Sequence, residues 1–360
     1  MLRTHTCGQL RADAIDTEVT LCGWVHRRRD HGGVIFIDLR DRYGLTQIVF
    51  DPEANGNAHQ IGETVRPEYV LKISGKVRHR LEGMENPNMD TGAIEVLVAE
   101  VEILNTAETP PFEIDQDKDV REDLRLEYRY LDLRKERMTR NLALRAQMTH
   151  TLREFFNRND FLEIETPIMV KGTPEGSREY LVPARLHHGE FYVLPQSPQQ
   201  LKQLLMIAGV DKYFQIPRCF RDEDQRGDRQ PEFTQAEIEM SFVEQEDVIA
   251  VIEAALIELT KKHAPTKQFP DTFPRLTWRE AMEKYGSDKP DIRFDLAFAD
   301  VSAAAKTSGF GIFEKVECVY ALPAPKQHGE LTRKDIDDLT ELARRKSADV
   351  DLARVEEGLE

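Results

Sequence analysis

The run FRDEDQRGDRQPEFTQ, residues 220–235, gathers arginines and carboxylates around Gly227 and turns apolar at Pro231 and Phe233. Arginine forks match phosphate oxygens and stack on flat rings. Two arginine-bearing arms, 220–223 and 229–235, flank a short turn at 224–228, a layout that predicts two antiparallel strands joined by a loop. A site that grips a triphosphate and a purine would need Arg221, Glu223, Arg229 and Gln230 this close together. The plainer reading is an ion-paired surface hairpin, since exposed pairs are common and contribute little. Upstream, residues 197–209 read as a helix with Ser197 as N-cap and Pro198 at its first position. Lys202 lies one helical turn from Gln199 and can face the same cavity. Glu175 sits on a loop flanked by Gly and Pro, GTPEGS at 172–177. A solvated helix lysine and a surface carboxylate are the plainer readings of these two.

Composition bounds what such a site can belong to. At 360 residues the chain has room for two or three domains, and 40% hydrophobic with 32% charged residues suits globular cores. No apolar run approaches the roughly 20 residues needed to span a bilayer, and the first residues carry no apolar signal-peptide core. Cys7, Cys22, Cys219 and Cys318 are scattered with no CxxC pair, so no metal site and no disulfide framework is expected. A cytoplasmic location follows. The net charge of −16 excludes a wholly basic nucleic-acid coat. It leaves room for local patches such as the clusters at 26–29 and 78–80.

The elements that position these residues fall into an α+β multidomain arrangement. Residues 1–105 read as all β, with strands at 19–29, 34–41, 45–51, 69–80 and 93–104 separated by turn residues. Five strands in this length fit a small closed barrel of the OB type; an immunoglobulin-like sandwich usually needs seven. Alternation assigns Ile35, Ile37, Leu39, Ile48, Phe50, Ile94, Val96 and Val98 to the core. Phe36, Gln47 and Glu95 then face outward, where an aromatic can stack on a base and polar groups can read its edges. Ordinary surface residues are the alternative. Residues 106–140 read as a hinge with a short helical element. Residues 141–158 and 247–263 are helical by period, and 161–167 is a strand ended by Pro167. Further strands are expected near 191–194, 213–220 and 232–242. From 287 the chain is Ala- and charge-rich, with helical patterns at 297–307 and 333–346 around a strand-like 316–323. No GxGxxG or GxxxxGK[ST] occurs, which argues against dinucleotide and P-loop architectures.

The 220–235 run resembles motif 2 of the class II aminoacyl-tRNA synthetases, in the form carried by bacterial aspartyl-tRNA synthetases. GWVHRRRD (23–30) and VIFIDLRDRYG (34–44) are similar to that family's anticodon-binding barrel, and EYRYLDLR (127–134) to its hinge. FLEIETP (161–167) resembles motif 1, a dimer-interface element, and GTPEGS the mobile loop that closes over the amino acid. QSPQQLK (196–202) resembles the aspartate-binding helix, and YGSDKPD (285–291) the exit toward an insertion domain. The resemblance covers nearly the whole chain. It implies an OB-fold anticodon domain at 1–105, a hinge at 106–140, a class II antiparallel-sheet catalytic domain at 141–286 and a partial insertion domain at 287–360.

It also implies an aspartate–tRNA ligase, a homodimer, that uses L-aspartate, ATP, Mg²⁺ and tRNA-Asp. On this reading Lys202 contacts the substrate side-chain carboxylate, Ser197 and Gln199 help fix the amino acid, and Glu175 binds its ammonium. Arg221 holds the α-phosphate and the attacking carboxylate. Asp222, Glu223 and Gln230 line the nucleotide, Glu223 accepts from the adenine amino group, and Phe233 stacks on the ring. Arg29, Phe36, Gln47 and Glu95 contact the anticodon. His31 and Gly83 resemble the relaxed subtype, which charges tRNA-Asn as well. The chain departs from the family: it has no glycine-rich run ending in the arginine that holds the γ-phosphate, and the family's second arginine for the substrate carboxylate and its paired histidines are likewise not found. It is therefore expected to be a fragment with little or no charging activity alone. A non-catalytic RNA-binding protein built on the barrel, and a lysine- or asparagine-specific relative, are the competing readings.

Overall fold

The computed structural model describes residues 1–116, 118–172, 176–268, 270, 272–293, 296–309, 311, 313, 316–322 and 332–347. The chain divides into two compact units, Met1–Lys267 and Gln268–Glu360.

The first unit begins with strands β1 (Glu18–His31), β2 (Val34–Asp41), β3 (Gly44–Phe50), β4 (Val70–His79) and β5 (Ile94–Asn105), with helix α1 (Gly56–Thr64) between β3 and β4. They close into a barrel in the order β1-β2-β3-β5-β4, antiparallel except for the parallel β3–β5 pair. Alternation explains the interior: Ile35, Ile37, Leu39, Ile48, Phe50, Ile94 and Val96 are fully buried and form one cluster with Leu21, Val25, Leu71 and Ile73. Closure requires a bend, and the β4–β5 register shifts at Gly75, where a Cβ would lie 2.2 Å from the Leu97 carbonyl oxygen. Helix α1 was not among the elements expected from sequence, because its mean hydropathy is near neutral and it buries only Ala58 and Gly62.

The hinge carries two short helices, α2 (Glu122–Glu127) and α3 (Arg129–Asp132), gathered on a small core of Phe112, Ile114 and Leu131. It is joined to the barrel through Glu68. Although only 4% exposed, Glu68 accepts from Arg40 Nη2 at 2.9 Å and from Arg134 Nη1 at 2.8 Å. Arg134 in turn lies 5.3 Å over the Trp24 ring, and Arg27 pairs with Asp115 at 2.9 Å.

Beyond the hinge come α4 (Glu136–Arg158), β6 (Leu162–Glu163), β7 (Leu181–Pro183), β8 (Phe191–Val193), α5 (Gln199–Ile207), β9 (Lys212–Gln215), β10 (Arg218–Phe220), β11 (Glu232–Thr234), β12 (Glu237–Met240) and α6 (Gln245–His263). The expected strand 213–220 is split at Ile216-Pro217, since proline has no N–H for the ladder. Across the break β9 pairs with β12 and β10 with β11, so one long antiparallel hairpin runs through both. The two-residue β6 adds to β9 in parallel, so the sheet is mixed rather than wholly antiparallel. The apolar face, Phe214 with Ile238 and Met240, packs against Phe155 and Phe156 of α4 and Ala255 of α6. Helix α5 starts at Gln199 with Pro198 as its N-cap and no side-chain cap bond. The cap expected at Ser197 is therefore corrected by one residue.

The second unit holds α7 (Trp278–Tyr285), β13 (Ala299–Asp300), α8 (Ser302–Lys306), β14 (Tyr320–Ala321) and α9 (Arg333–Ser347). Helix α7 is bounded by a Thr277–Glu280 capping box and by Gly286 in the left-handed region. Ala305, Val316 and Val319 form its small core. Among the described residues no helix is long and apolar enough to cross a membrane.

The barrel holds one pH-sensitive contact. Arg40 Nη1 lies 2.9 Å from His26 Nδ1, so that nitrogen must accept and the ring must be neutral. Burial, reinforced by the Arg40 charge, holds the His26 pKa below its ordinary 6.5. The unfolded chain takes up that proton first as pH falls, so stability declines below the ordinary histidine range and levels off beneath the depressed folded value. Replacing His26→Gln is expected to flatten this part of the pH profile, measured as urea midpoints between about pH 7.5 and 5; an unchanged slope would count against it.

Candidate functional site

The β9–β12 pair has a polar face opposite its apolar one. Alternation places Glu237 and Glu239 on it, and register sets them across from Gln215 and Tyr213. Helix α5 lays Lys202 onto this face: Lys202 is 8% exposed, with Nζ 2.6 Å from Glu237 Oε2 and 3.3 Å from Glu239 Oε2. Burial alone would depress the Lys202 pKa. Hydrogen bonding to Glu237 and the charges of both glutamates outweigh it, so the ammonium titrates above an ordinary lysine. Tyr213 Oη and Thr166 Oγ1 both donate to Gln215 Oε1, at 2.6 and 3.0 Å. The sequence reading missed Glu237 and Glu239. Their signal was present in EIEM, two acids alternating with apolar residues on a strand.

At the other end of the hairpin, β10 and β11 are shorter than the sequence suggested, and residues 221–231 form the connection. The arm 220–223 is thus mostly loop, although the Arg221 N–H still donates to the Pro231 carbonyl at 2.8 Å. The Arg221 guanidinium carbon lies 5.1 Å from the centre of the Phe233 ring. Its Nε is buried and, among the described residues, has no hydrogen-bond partner. A buried donor left unsatisfied costs about 1–3 kcal/mol, which marks a place for an acceptor that the described residues do not provide.

A cavity of about 410 Å³ opens beside it, lined by Gly176, Ser177, Arg178, Asp222, Glu223, Asp224, Arg226 and Arg229. The wall is tied together locally. Gln196, 3% exposed, accepts from the Ser177 N–H at 3.1 Å and donates to the Ser177 carbonyl at 2.8 Å. Ser177 Oγ donates to Glu223, and the Asp222 N–H donates to the Arg178 carbonyl at 3.0 Å. Arg221 and Phe233 are therefore brought together, and Asp222 and Glu223 share the cavity wall. Gln230 stands exposed on the loop, and Gln199 and Ser197 are partly buried at the start of α5. Glu175 lies outside the described residues.

On the barrel, the outward positions Arg29, Phe36, Asp38, Gln47 and Glu95 do share one face, but three of them are not open to solvent as their outward position suggested. Asp38 and Gln47 are each 7% exposed and Glu95 is 4% exposed, contacted by arginines from β1 and β4. Arg29 donates to both oxygens of Asp38 at 2.8 Å and to Gln47 Oε1 at 3.3 Å. Gln47 Nε2 donates to Glu95 Oε2, and Arg78 Nε to Glu95 Oε1, each at 2.8 Å. Phe36 pairs with Arg29 across β1–β2 and is half-buried. His31 is exposed on the same side, two residues beyond Arg29. Gly83 is exposed in the β4–β5 connection, at φ +81°.

A closed five-stranded barrel is thus followed in the same unit by a mixed sheet with an arginine-lined cavity. The family model for class II tRNA synthetases (D, K and N) matches residues 121–358, and that for the OB-fold nucleic acid binding domain matches 19–104. The chain belongs to the class II tRNA synthetases of this D, K and N group. It is 53% identical over 342 residues to the aspartate–tRNA(Asp/Asn) ligase of Oleidesulfovibrio alaskensis, covering 95% of this chain and 56% of that protein. It is 50% identical over 352 residues to the aspartate–tRNA(Asp/Asn) ligase of Dehalococcoides mccartyi, covering 97% and 58%. The chain thus spans a little over half the length of these relatives. Among solved structures, its fold is similar to that of the Pyrococcus horikoshii asparaginyl-tRNA synthetase in complex with asparaginyl-adenylate. There the TM-score is 0.68 at 23% identity, over 80% of this chain and 70% of that one.

Removing Lys202 would leave Glu237 and Glu239 facing each other without their cation. Lys202→Met is expected to lower stability by about 2–4 kcal/mol, read as a shifted urea midpoint. A loss below about 0.5 kcal/mol, within the range of ordinary surface substitutions, would mean that the cluster is solvated.

Proposed function

We propose that this chain carries the anticodon-reading and nucleotide-gripping parts of an aspartate–tRNA ligase with relaxed tRNA choice. The observation that carries the reading is Arg221, a guanidinium held over Phe233 with a buried Nε that has no hydrogen-bond partner among the described residues. In the proposed reaction the carboxylate of L-aspartate attacks the α-phosphorus of ATP and pyrophosphate leaves. The terminal ribose hydroxyl of tRNA then takes the aspartyl group. No protein nucleophile is needed, so the residues work by positioning and charge neutralisation.

Each residue has a part in this scheme. Arg221 bridges the attacking carboxylate and the α-phosphate. Phe233 offers adenine the face that Arg221 leaves open, and Glu223 exchanges its bond to Ser177 for one from the adenine amino group. Asp222 and Gln230 flank the nucleotide. Lys202, pre-set and kept charged by Glu237 and Glu239, receives the substrate side-chain carboxylate. Ser197 and Gln199 border that subsite, and Glu175 takes the ammonium. Among the described residues no three His, Cys, Asp or Glu side chains gather as a metal cage. Mg²⁺ held mainly through phosphate oxygens needs none, and it supplies charge neutralisation there. Arg29, Phe36, Gln47 and Glu95 read the anticodon, with His31 and Gly83 at the rim. A homodimer built on the 161–167 segment is part of the same proposal.

Two measurements test the two halves. Hairpin RNAs carrying the GUC and GUU anticodon loops are expected to bind this chain with comparable affinity, and more tightly than a scrambled loop. Phe36→Ala should weaken both by about tenfold, the scale of one lost base stack. Equal binding of all three loops would reject specific reading. For the nucleotide half, Arg221→Lys keeps the charge but loses the fork. It should lower Mg-ATP affinity about tenfold or more by calorimetry, and an unchanged affinity would remove Arg221 from the role.

A further inference from the structure

The β1–β2 turn is the rim of the proposed base-reading face, and its position is set from outside the hairpin. His31-Gly32-Gly33-Val34 closes the hairpin with Gly32 at φ +62° and Gly33 at φ +84°, a pair of left-handed residues that favours glycine. A Cβ placed on either glycine would meet nothing within 4 Å, and both glycines are exposed. What does reach it is His59 on α1, whose Nε2 lies 2.7 Å from the Gly33 carbonyl oxygen. A carbonyl only accepts, so Nε2 carries the proton and donates.

Helix α1 is itself fixed to three strands. Asn55 caps it, accepting from the Asn57 and Ala58 N–H groups at 3.1 Å, while Asn55 Nδ2 donates to the Ala99 carbonyl of β5 at 2.6 Å. Gly62 packs on the Phe50 ring of β3, where a Cβ would lie 3.0 Å away, and Arg28 Nε of β1 donates to the Gly62 carbonyl at 3.3 Å. The turn is thereby tied to a helix docked on the barrel core, whose Ala58 belongs to that core.

Resting on the reading of this face as an anticodon site, we propose that His59 is a positioning residue for tRNA choice. It holds the His31 rim clear of the base-reading face, so that anticodons differing in their third base are both admitted. His59 does not touch the RNA in this scheme; it acts through Gly33 and His31. Released from His59, the turn is free to settle over the face and to press on whichever third base fits less well.

The experiment compares His59→Phe, which keeps a ring and removes the donor, with His59→Gln, whose side-chain amide can still donate. Affinities of the full chain for GUC and GUU hairpin RNAs are read by fluorescence anisotropy, and amide hydrogen exchange is followed over residues 31–34. H59F is expected to speed exchange in the turn and to weaken the GUU hairpin about fivefold more than the GUC hairpin, the scale of one hydrogen bond. H59Q should restore most of both. Binding of both RNAs by H59F in the parent ratio, or unchanged exchange, overturns the inference while leaving the anticodon reading intact. A parent chain that binds neither hairpin overturns both. If H59F melts early, H59N, too short to reach Gly33, takes its place with the same expected outcomes.

Discussion

One buried carboxylate joins the two halves of the first unit. Glu68 takes guanidinium donors from Arg40 on the barrel and from Arg134 on the hinge, and it does so from a left-handed backbone at φ +66°. A non-glycine residue in that region costs about 1 kcal/mol or more, and it persists here because both oxygens are claimed. A buried charge survives only when paired and hydrogen-bonded. Glu68 meets that condition with two arginines, and one of them is shared with the neutral ring of His26. Arg134 is pinned a second time over Trp24. The proposed base-reading face and the arginine-lined cavity lie on opposite sides of this joint in the chain. A large substrate that touches both needs the joint to hold its angle.

The same device, a cation fixed by carboxylates, recurs at both proposed sites with different completeness. On the barrel, Arg29 and Arg78 are balanced by Asp38 and Glu95, and Gln47 bridges them. Asp38 and Glu95 each accept from an arginine, so these buried carboxylates are held in place before any ligand arrives. On the sheet, Lys202 is held by two acids, which leaves a surplus of negative charge on the polar face. At the hairpin end Arg221 is the exception, with a buried donor that none of the described residues satisfies. Satisfied networks preorganise, and unsatisfied ones signal where a ligand group belongs. The contrast separates scaffold from grip without reference to any relative.

Much of this was legible in the residues. Period-two alternation at 35–39, 48–50 and 94–98 assigns the barrel core correctly, because a closed barrel buries one full face of every strand. The 220–235 run named Arg221 and Phe233, and the structure brings them together. What was not legible depends on tertiary partners. Glu237 and Glu239 look like ordinary strand acids until α5 delivers Lys202. Gln47 and Glu95 look exposed until Arg29 and Arg78 cover them. Helix α1 is short and polar, and its existence owes more to Asn55 and to docking on Phe50 than to its own propensity. The strand limits around Pro217 moved because a missing N–H interrupts a ladder that hydrophobicity alone would continue.

The net charge of −16 then bears differently on RNA binding. A face whose arginines are already matched by carboxylates offers little bare positive charge to phosphate. On the proposed reading, selectivity would come from the Phe36 ring and from hydrogen-bonding edges held in place by Arg29 and Arg78. These short-range terms depend on geometry and are weakly screened, whereas phosphate contacts are steeply salt-dependent. An acidic chain is therefore compatible with reading a single-stranded loop, provided the attraction is local and the face is stiff. Stiffness in turn depends on buried contacts: Glu95 at 4% exposure, Gln47 at 7%, and the closed barrel's apolar core beneath them.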